Sequence, residues 1–122
     1  MANNAEWMGQ HVPTNINMPF QQNVQISITM RNTGDTDWDP SKGYKLGSEN
    51  PQDNMTWGFN RVNLPVTVAK GSTYTIDAFS ITPTPTSKPR VYNFQWRMLQ
   101  EGVGWFGDYT PNVAITVVDP NV

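Results

Sequence analysis

Two stretches of this 122-residue chain repeat with a period of two, and that period constrains the fold more than any other feature. In Asn23–Asn32, Val24, Ile26, Ile28 and Met30 alternate with Gln25, Ser27, Thr29 and Arg31. In Arg90–Leu99, Tyr92, Phe94, Trp96 and Met98 alternate with Asn93, Gln95 and Arg97. Successive side chains of a strand point to opposite faces, so each stretch is a strand with one buried face. Composition agrees: Val, Ile and Thr number 30, whereas Ala and Leu number 8. β-Branched side chains fit a pleated sheet and lose rotamer freedom in a helix. The 10 prolines interrupt any long helix.

Weaker runs extend the pattern. Val113, Ile115 and Val117 predict a third strand. Tyr74, Ile76 and Ala78 open a fourth, but Phe79 and Ile81 continue it on the other parity, which a bulge near Ala78 would reconcile. Tyr44–Gly47 and Phe59–Leu64 read as shorter strands and Trp7–Val12 as an edge strand. Turn residues separate these runs at Asn32–Asp35, Asp39–Gly43, Glu49–Asn54, Lys70–Ser72 and Pro83–Pro89. Short strands with a turn about every ten residues predict an all-β sandwich or barrel. The chain reads as one domain over residues 1–122, with 119–122 a frayed end or the start of a linker.

Composition excludes several function classes. With no cysteine there is no disulfide framework, zinc finger or thiol nucleophile. A single histidine excludes a multi-histidine metal site within the chain. Eight basic against ten acidic side chains leave no electrostatic footprint for nucleic acid. No apolar run approaches the roughly 20 residues of a membrane-crossing helix, and the first residues do not read as a secretory leader. The surface is rich in uncharged polar residues, a habit that suits an extracellular, cell-surface or virion β-domain.

Constellations with chemical potential are few. His11 would need a serine such as Ser27 beside it, and no GxSxG pattern is present. Glu101 and Asp108 flank Trp105 and form the one candidate carboxylate pair. Asp35, Asp37 and Asp39 alternate like the opening of a calcium loop, but the sixth and twelfth positions are Pro40 and Leu46 instead of Gly and Glu. A looser site using two of these carboxylates stays open, and polar-turn acids are the plainer reading. Asn54-Met55-Thr56 is an N-x-T sequon. Trp57, Trp105, Tyr109 and Tyr44, with Phe106, fall near predicted strand ends or loops among Asn, Gln and Asp. Flat rings with hydrogen-bonding neighbours are what sugar stacking requires, so the first four form a candidate ligand surface. Trp38, Trp96, Tyr92, Phe94, Ile26 and Ile28 are the candidate structural core. Gly34 is expected to supply a positive φ after Asn32.

The segments RNTGDTDW (Arg31–Trp38), YKLGSENPQDNMTWGFNRVNL (Tyr44–Leu64), VAKG (Val68–Gly71) and YNFQWRMLQEGVGWFGDYTPNV (Tyr92–Val113) occur in an order that resembles the four-tryptophan Ig-like domain family. That family is known from a selective-autophagy cargo receptor and from bacterial multi-domain surface or secreted proteins. The resemblance covers Trp7–Pro120 and is closer to the bacterial versions. It implies an Ig-like β-sandwich of seven to eight strands without a disulfide, with Trp38, Trp57, Trp96 and Trp105 at the family tryptophan positions. Ile28 stands where the autophagy receptors carry another tryptophan. Arg90 stands where glycine is usual, and the PTPTSKP loop is longer than usual. Without a disulfide the inter-sheet link must come from packing, for which Trp96 is the candidate, while Tyr92 is placed for a tyrosine corner.

Together these readings lead to a non-catalytic module, with no cofactor or metal, acting through a protein partner or self-assembly. A phage virion component and a carbohydrate-binding module are the alternatives. An Ig-like frame alone does not choose among them.

Overall fold

The computed structural model describes residues 2–17, 24–81 and 90–118. The Pro83–Pro89 turn and the 119–122 terminus lie outside the described residues. Among the described residues, nine strands follow in chain order: β1 (Ala5–His11), β2 (Asn15–Asn17), β3 (Val24–Asn32), β4 (Tyr44–Glu49), β5 (Arg61–Asn63), β6 (Thr73–Ile81), β7 (Arg90–Gln100), β8 (Gly104–Tyr109) and β9 (Val113–Val118). A 3-10 turn, Pro40–Lys42, precedes β4, with Asp39 capping it by accepting the Ser41 N–H at 2.9 Å. Two sheets result. The smaller has the order β1-β3-β6, the larger β2-β9-β7-β4-β5 with β8 also on β7.

Alternation becomes packing directly. Ile26, Ile28 and Met30 of β3 and Phe94, Trp96 and Met98 of β7 are buried between the sheets. The parity change in β6 is a bulge: Ile26 pairs with Phe79 but Ile28 with Ile76, so β6 carries one extra residue at Asp77–Ala78. Both Ile76 and Phe79 therefore reach the core. Trp96 meets Phe79 of the opposite sheet at 5.9 Å between ring centroids, and its own side's Phe59 and Phe94 at 5.6 and 6.0 Å. This aromatic contact joins the sheets in a chain that has no cysteine. Trp38 lies outside the strands. It is held by reciprocal bonds with Val68 (2.9 and 3.1 Å) and packs on Phe106 at 6.1 Å.

The strand count exceeds the expected seven to eight because the partner of β7 on one side is split. β9 pairs with Arg90–Phe94 and β8 with Arg97–Gln100. Between them buried Thr110 completes the ladder. Its N–H donates to Trp96 O and its Oγ1 accepts the Trp96 N–H, both at 2.9 Å. Pro111, which has no N–H, follows at the break.

Gly34 needs a different explanation from the one its turn position suggested. It does not adopt a positive φ. A Cβ there would sit 2.7 Å from Asn4 N and 2.8 Å from Ala2 O, so close backbone approach excludes a side chain. Gly107 combines both demands: its φ is 76°, and a Cβ would meet Ala5 N at 2.6 Å. The bulge it forms in β8 lets β1 close one side of the sandwich, where the Trp7 N–H donates to Asp108 Oδ2 at 3.1 Å.

Candidate functional site

The outer face of the larger sheet gathers aromatic and arginine side chains from three strands, β5, β7 and β8. On β4, Tyr44, Leu46 and Ser48 point inward, so Lys45, Gly47 and Glu49 lie on the outer side. On β7, Gln95, Arg97 and Leu99 occupy that side, and β8 adds Trp105 while burying Phe106. Gly47 is the key to the arrangement. A Cβ there would lie 2.5 Å from Trp105 Cη2 and 2.6 Å from Leu99 Cδ2. The indole thus rests on bare backbone. Arg61 of β5 covers the ring at 5.1 Å from its centroid, within the range of a cation–π contact.

Arg61 is itself held from two sides. Its Nη1 is paired with Asp53, and its Nε donates to Glu101 Oε2 at 3.2 Å. Burial works against the guanidinium charge, but the two carboxylates outweigh it and raise its pKa. Lys45 adds a contact to Glu101 at 3.6 Å. Next to this group, Arg97 lies over the Tyr109 ring at 4.5 Å, donates through Nε to Gly107 O at 3.0 Å, and reaches the Tyr109 hydroxyl at 3.3 Å. Each arginine is therefore ordered by an aromatic ring as well as by oxygen acceptors, which lowers the entropy lost when a partner binds.

The four candidate ligand rings separate. Trp105 is half-buried and Tyr109 is 50% exposed, and both belong to this face. Trp57 and Tyr44 do not, which corrects their assignment to a ligand surface. Trp57 is 4% exposed; its Nε1 donates to Asn93 O at 3.3 Å and its ring packs on Tyr92 at 5.8 Å and Phe94 at 6.5 Å. The 50–58 segment folds back over the sheet and carries it inside. Tyr44 is also 4% exposed, its ring on Phe106 at 6.0 Å and its hydroxyl donating to Asn3 Oδ1 at 2.6 Å. Trp38, Trp96, Phe94, Ile26 and Ile28 are buried and Tyr92 is half-buried.

Of the remaining constellations, the Glu101–Asp108 pair is taken up by other partners and the His11–Ser27 pair is brought together. Glu101 is engaged by Arg61 and Lys45, Asp108 by the Trp7 backbone. His11 and Ser27 are cross-strand neighbours on the exposed side of the smaller sheet. Asp37 accepts the Lys70 N–H at 2.9 Å, and hydrogen bonds from Ser41 hold the Asp39 carboxyl below its ordinary pKa. Among the described residues, no group of three or more His, Asp or Glu side chains is gathered for a metal. The Asp35–Asp39 loop instead lines a mixed concavity of about 760 Å³ at one end of the sandwich, with Lys42, Lys70 and Gln100. Asn54, of the sequon, is fully occupied: its Nδ2 donates to Glu49 O (3.0 Å) and Pro51 O (2.7 Å), and its Oδ1 accepts the Thr56 N–H (3.2 Å).

Sequence reasoning did not single out Gly47, Arg61 or Arg97. A lone glycine inside a strand does signal close approach of something to the backbone, and Gly47 carried that signal. No family model matches the chain, and no curated protein matches it.

Proposed function

We propose that this chain is a non-catalytic Ig-like module that works by protein contact, through the outer face of the larger sheet. The observation that carries this reading is the pre-ordered set Arg61–Trp105 and Arg97–Tyr109 on one side of a rigid frame. Trp, Tyr and Arg are the residue types that dominate binding energy at protein interfaces. The Ig-like assignment is supported by the strand order. A three-stranded sheet faces one in which β7 is flanked by β4 and β9, and β2 runs parallel to β9 at the edge. The resemblance to four-tryptophan Ig-like domains points the same way.

Sugar stacking is a weaker reading. Two of its four rings are buried, Trp105 lies between Arg61 and the Gly47 backbone, and Arg97 lies over one face of Tyr109. The virion reading called for one large apolar patch. Among the described residues, the exposed large apolar side chains Met8, Met55, Val66, Val91, Val103 and Tyr109 are instead scattered along the chain.

A photo-crosslinking residue at position 109, compared with one at Thr75 on the other sheet, tests the proposal in the source cells or particles. An adduct to a partner protein or a second copy from position 109 alone is expected. Equal labelling from both positions, or none from 109, refutes it. A glycan array that binds the wild-type chain but not Tyr109→Ala would favour the sugar reading instead.

A further inference from the structure

Glu49 ends β4 on the same outer side, yet it is only 4% exposed, and its Oε2 accepts no hydrogen bond among the described residues. The loop 50–54 folds back over it. The Asp53 N–H donates to Ser48 O at 2.9 Å, the Asn54 N–H to Pro51 O at 3.3 Å, and Ser48 Oγ to Asn54 O at 2.8 Å. Asp53 then reaches across to Arg61, so this loop supplies one of the two anchors of the guanidinium over Trp105. Among the described residues, three side chains act on the Glu49 carboxyl. Gln52 and Asp53 come from the loop, Arg97 from β7, and Gln95 is its cross-strand partner. Tyr109 of β8 stands behind Arg97, and Arg61 of β5 behind Asp53.

We propose that the loop 50–54 is a pH-operated latch: it lies closed over Glu49 while that carboxyl is protonated and loosens when the carboxyl ionises, releasing Asp53 from Arg61. The inference concerns the loop alone, whichever partner the outer face engages. A protonated carboxyl is neutral and tolerates the dry site. A carboxylate with one oxygen lacking a donor does not, and it regains water only if the loop lifts. Burial and the negative charge of Asp53 raise the Glu49 pKa, while the Gln52 hydrogen bond and Arg97 oppose them, and the net direction is upward. A raised folded-state pKa means the closed form is fully favoured below the ordinary glutamate range. That advantage is lost as pH rises through the folded-state value. Lifting the loop removes the Asp53 anchor and leaves Arg61 held by Glu101 and the Asn60 carbonyl, which loosens its hold over Trp105.

Hydrogen exchange of the Asp53 and Asn54 amides tests this, corrected for intrinsic rates and taken relative to the Leu46 and Met98 amides. In the wild-type chain their relative protection should fall several-fold between a pH below the ordinary glutamate range and neutral pH. In Glu49→Gln it should stay high at both. A flat wild-type ratio, or the same pH dependence in Glu49→Gln, overturns the proposal. A carbon-13 titration of the Glu49 carboxyl in the unsubstituted chain gives an independent reading. The amide shifts of Gln52, Asp53 and Asn54 should share its midpoint, and a different midpoint overturns the latch.

Discussion

The stacking of Trp105 on Gly47 predicts strong coupling between the two positions. In Gly47→Ala the new Cβ would begin 2.5 Å from Trp105 Cη2 and 2.7 Å from Cζ3. Carbon atoms in contact prefer about 3.5–4.0 Å, so the ring must retreat by about 1 Å. Overpacking of this kind costs about 1–3 kcal/mol. Replacing a strand glycine recovers about 0.5–1 kcal/mol of backbone entropy, which leaves a net loss of about 1–2 kcal/mol, or about 4–8 °C in Tm for a chain this size. Trp105→Ala removes a half-buried ring, about 100 Å² at about 25 cal/mol per Å², hence about 2.5 kcal/mol. In the double variant the clash is gone, and only Leu99 Cδ2, at 2.6 Å, must rotate away. Gly47→Ala should then be neutral or stabilising. Urea unfolding of the four proteins measures the coupling, expected at about 1–3 kcal/mol. Additivity within about 0.5 kcal/mol would show that the indole does not rest on this glycine.

Other positions separate packing from binding. Trp96→Ala should cost about 3–5 kcal/mol, since it opens a cavity between the sheets. Trp96→Phe should cost much less, because the indole Nε1 makes no hydrogen bond among the described residues; thermal melts compare the two. Trp57→Ala should destabilise the chain by about 3 kcal/mol or more, as a buried ring does, and a loss as small as that of Tyr109→Ala would contradict its burial. The Tm of Glu49→Gln relative to wild type should rise with pH, because the wild-type chain loses the protonated-state advantage of its raised pKa as the carboxyl ionises. Expressed in a glycosylating host, folded chain should carry no glycan at Asn54, whose amide is occupied by Glu49 O and Pro51 O. Mass spectrometry of the intact protein decides this.

Much of the fold was legible because strand parity is a local property. Ile26, Ile28, Phe94 and Trp96 share a face as soon as the chain is extended. The switch of parity between Ile76 and Phe79 located the β6 bulge with no knowledge of its partner β3. Ring position relative to solvent is not local. Trp57 and Trp105 both neighbour turn residues, and nothing in their flanks distinguishes them. One is drawn inside because the 50–58 segment folds back over the sheet. The other stays outside because β8 alternates around Phe106 and Gly47 leaves room for its ring.

The sequence by itself determined an all-β chain, the positions of its main strands and turns, and which side chains of each strand travel together. Backbone geometry and the period of two suffice for that. Only the tertiary structure decided that β8 and β9 divide one edge of β7, that Gly34 is excluded from bearing a side chain by Ala2 and Asn4, and that Arg61, Trp105 and Glu101 meet. The meeting of Gly34 with Ala2 and Asn4, and of Arg61 with Trp105 and Glu101, joins residues far apart along the chain, whose approach is set by how the strands pack and not by a neighbour in sequence.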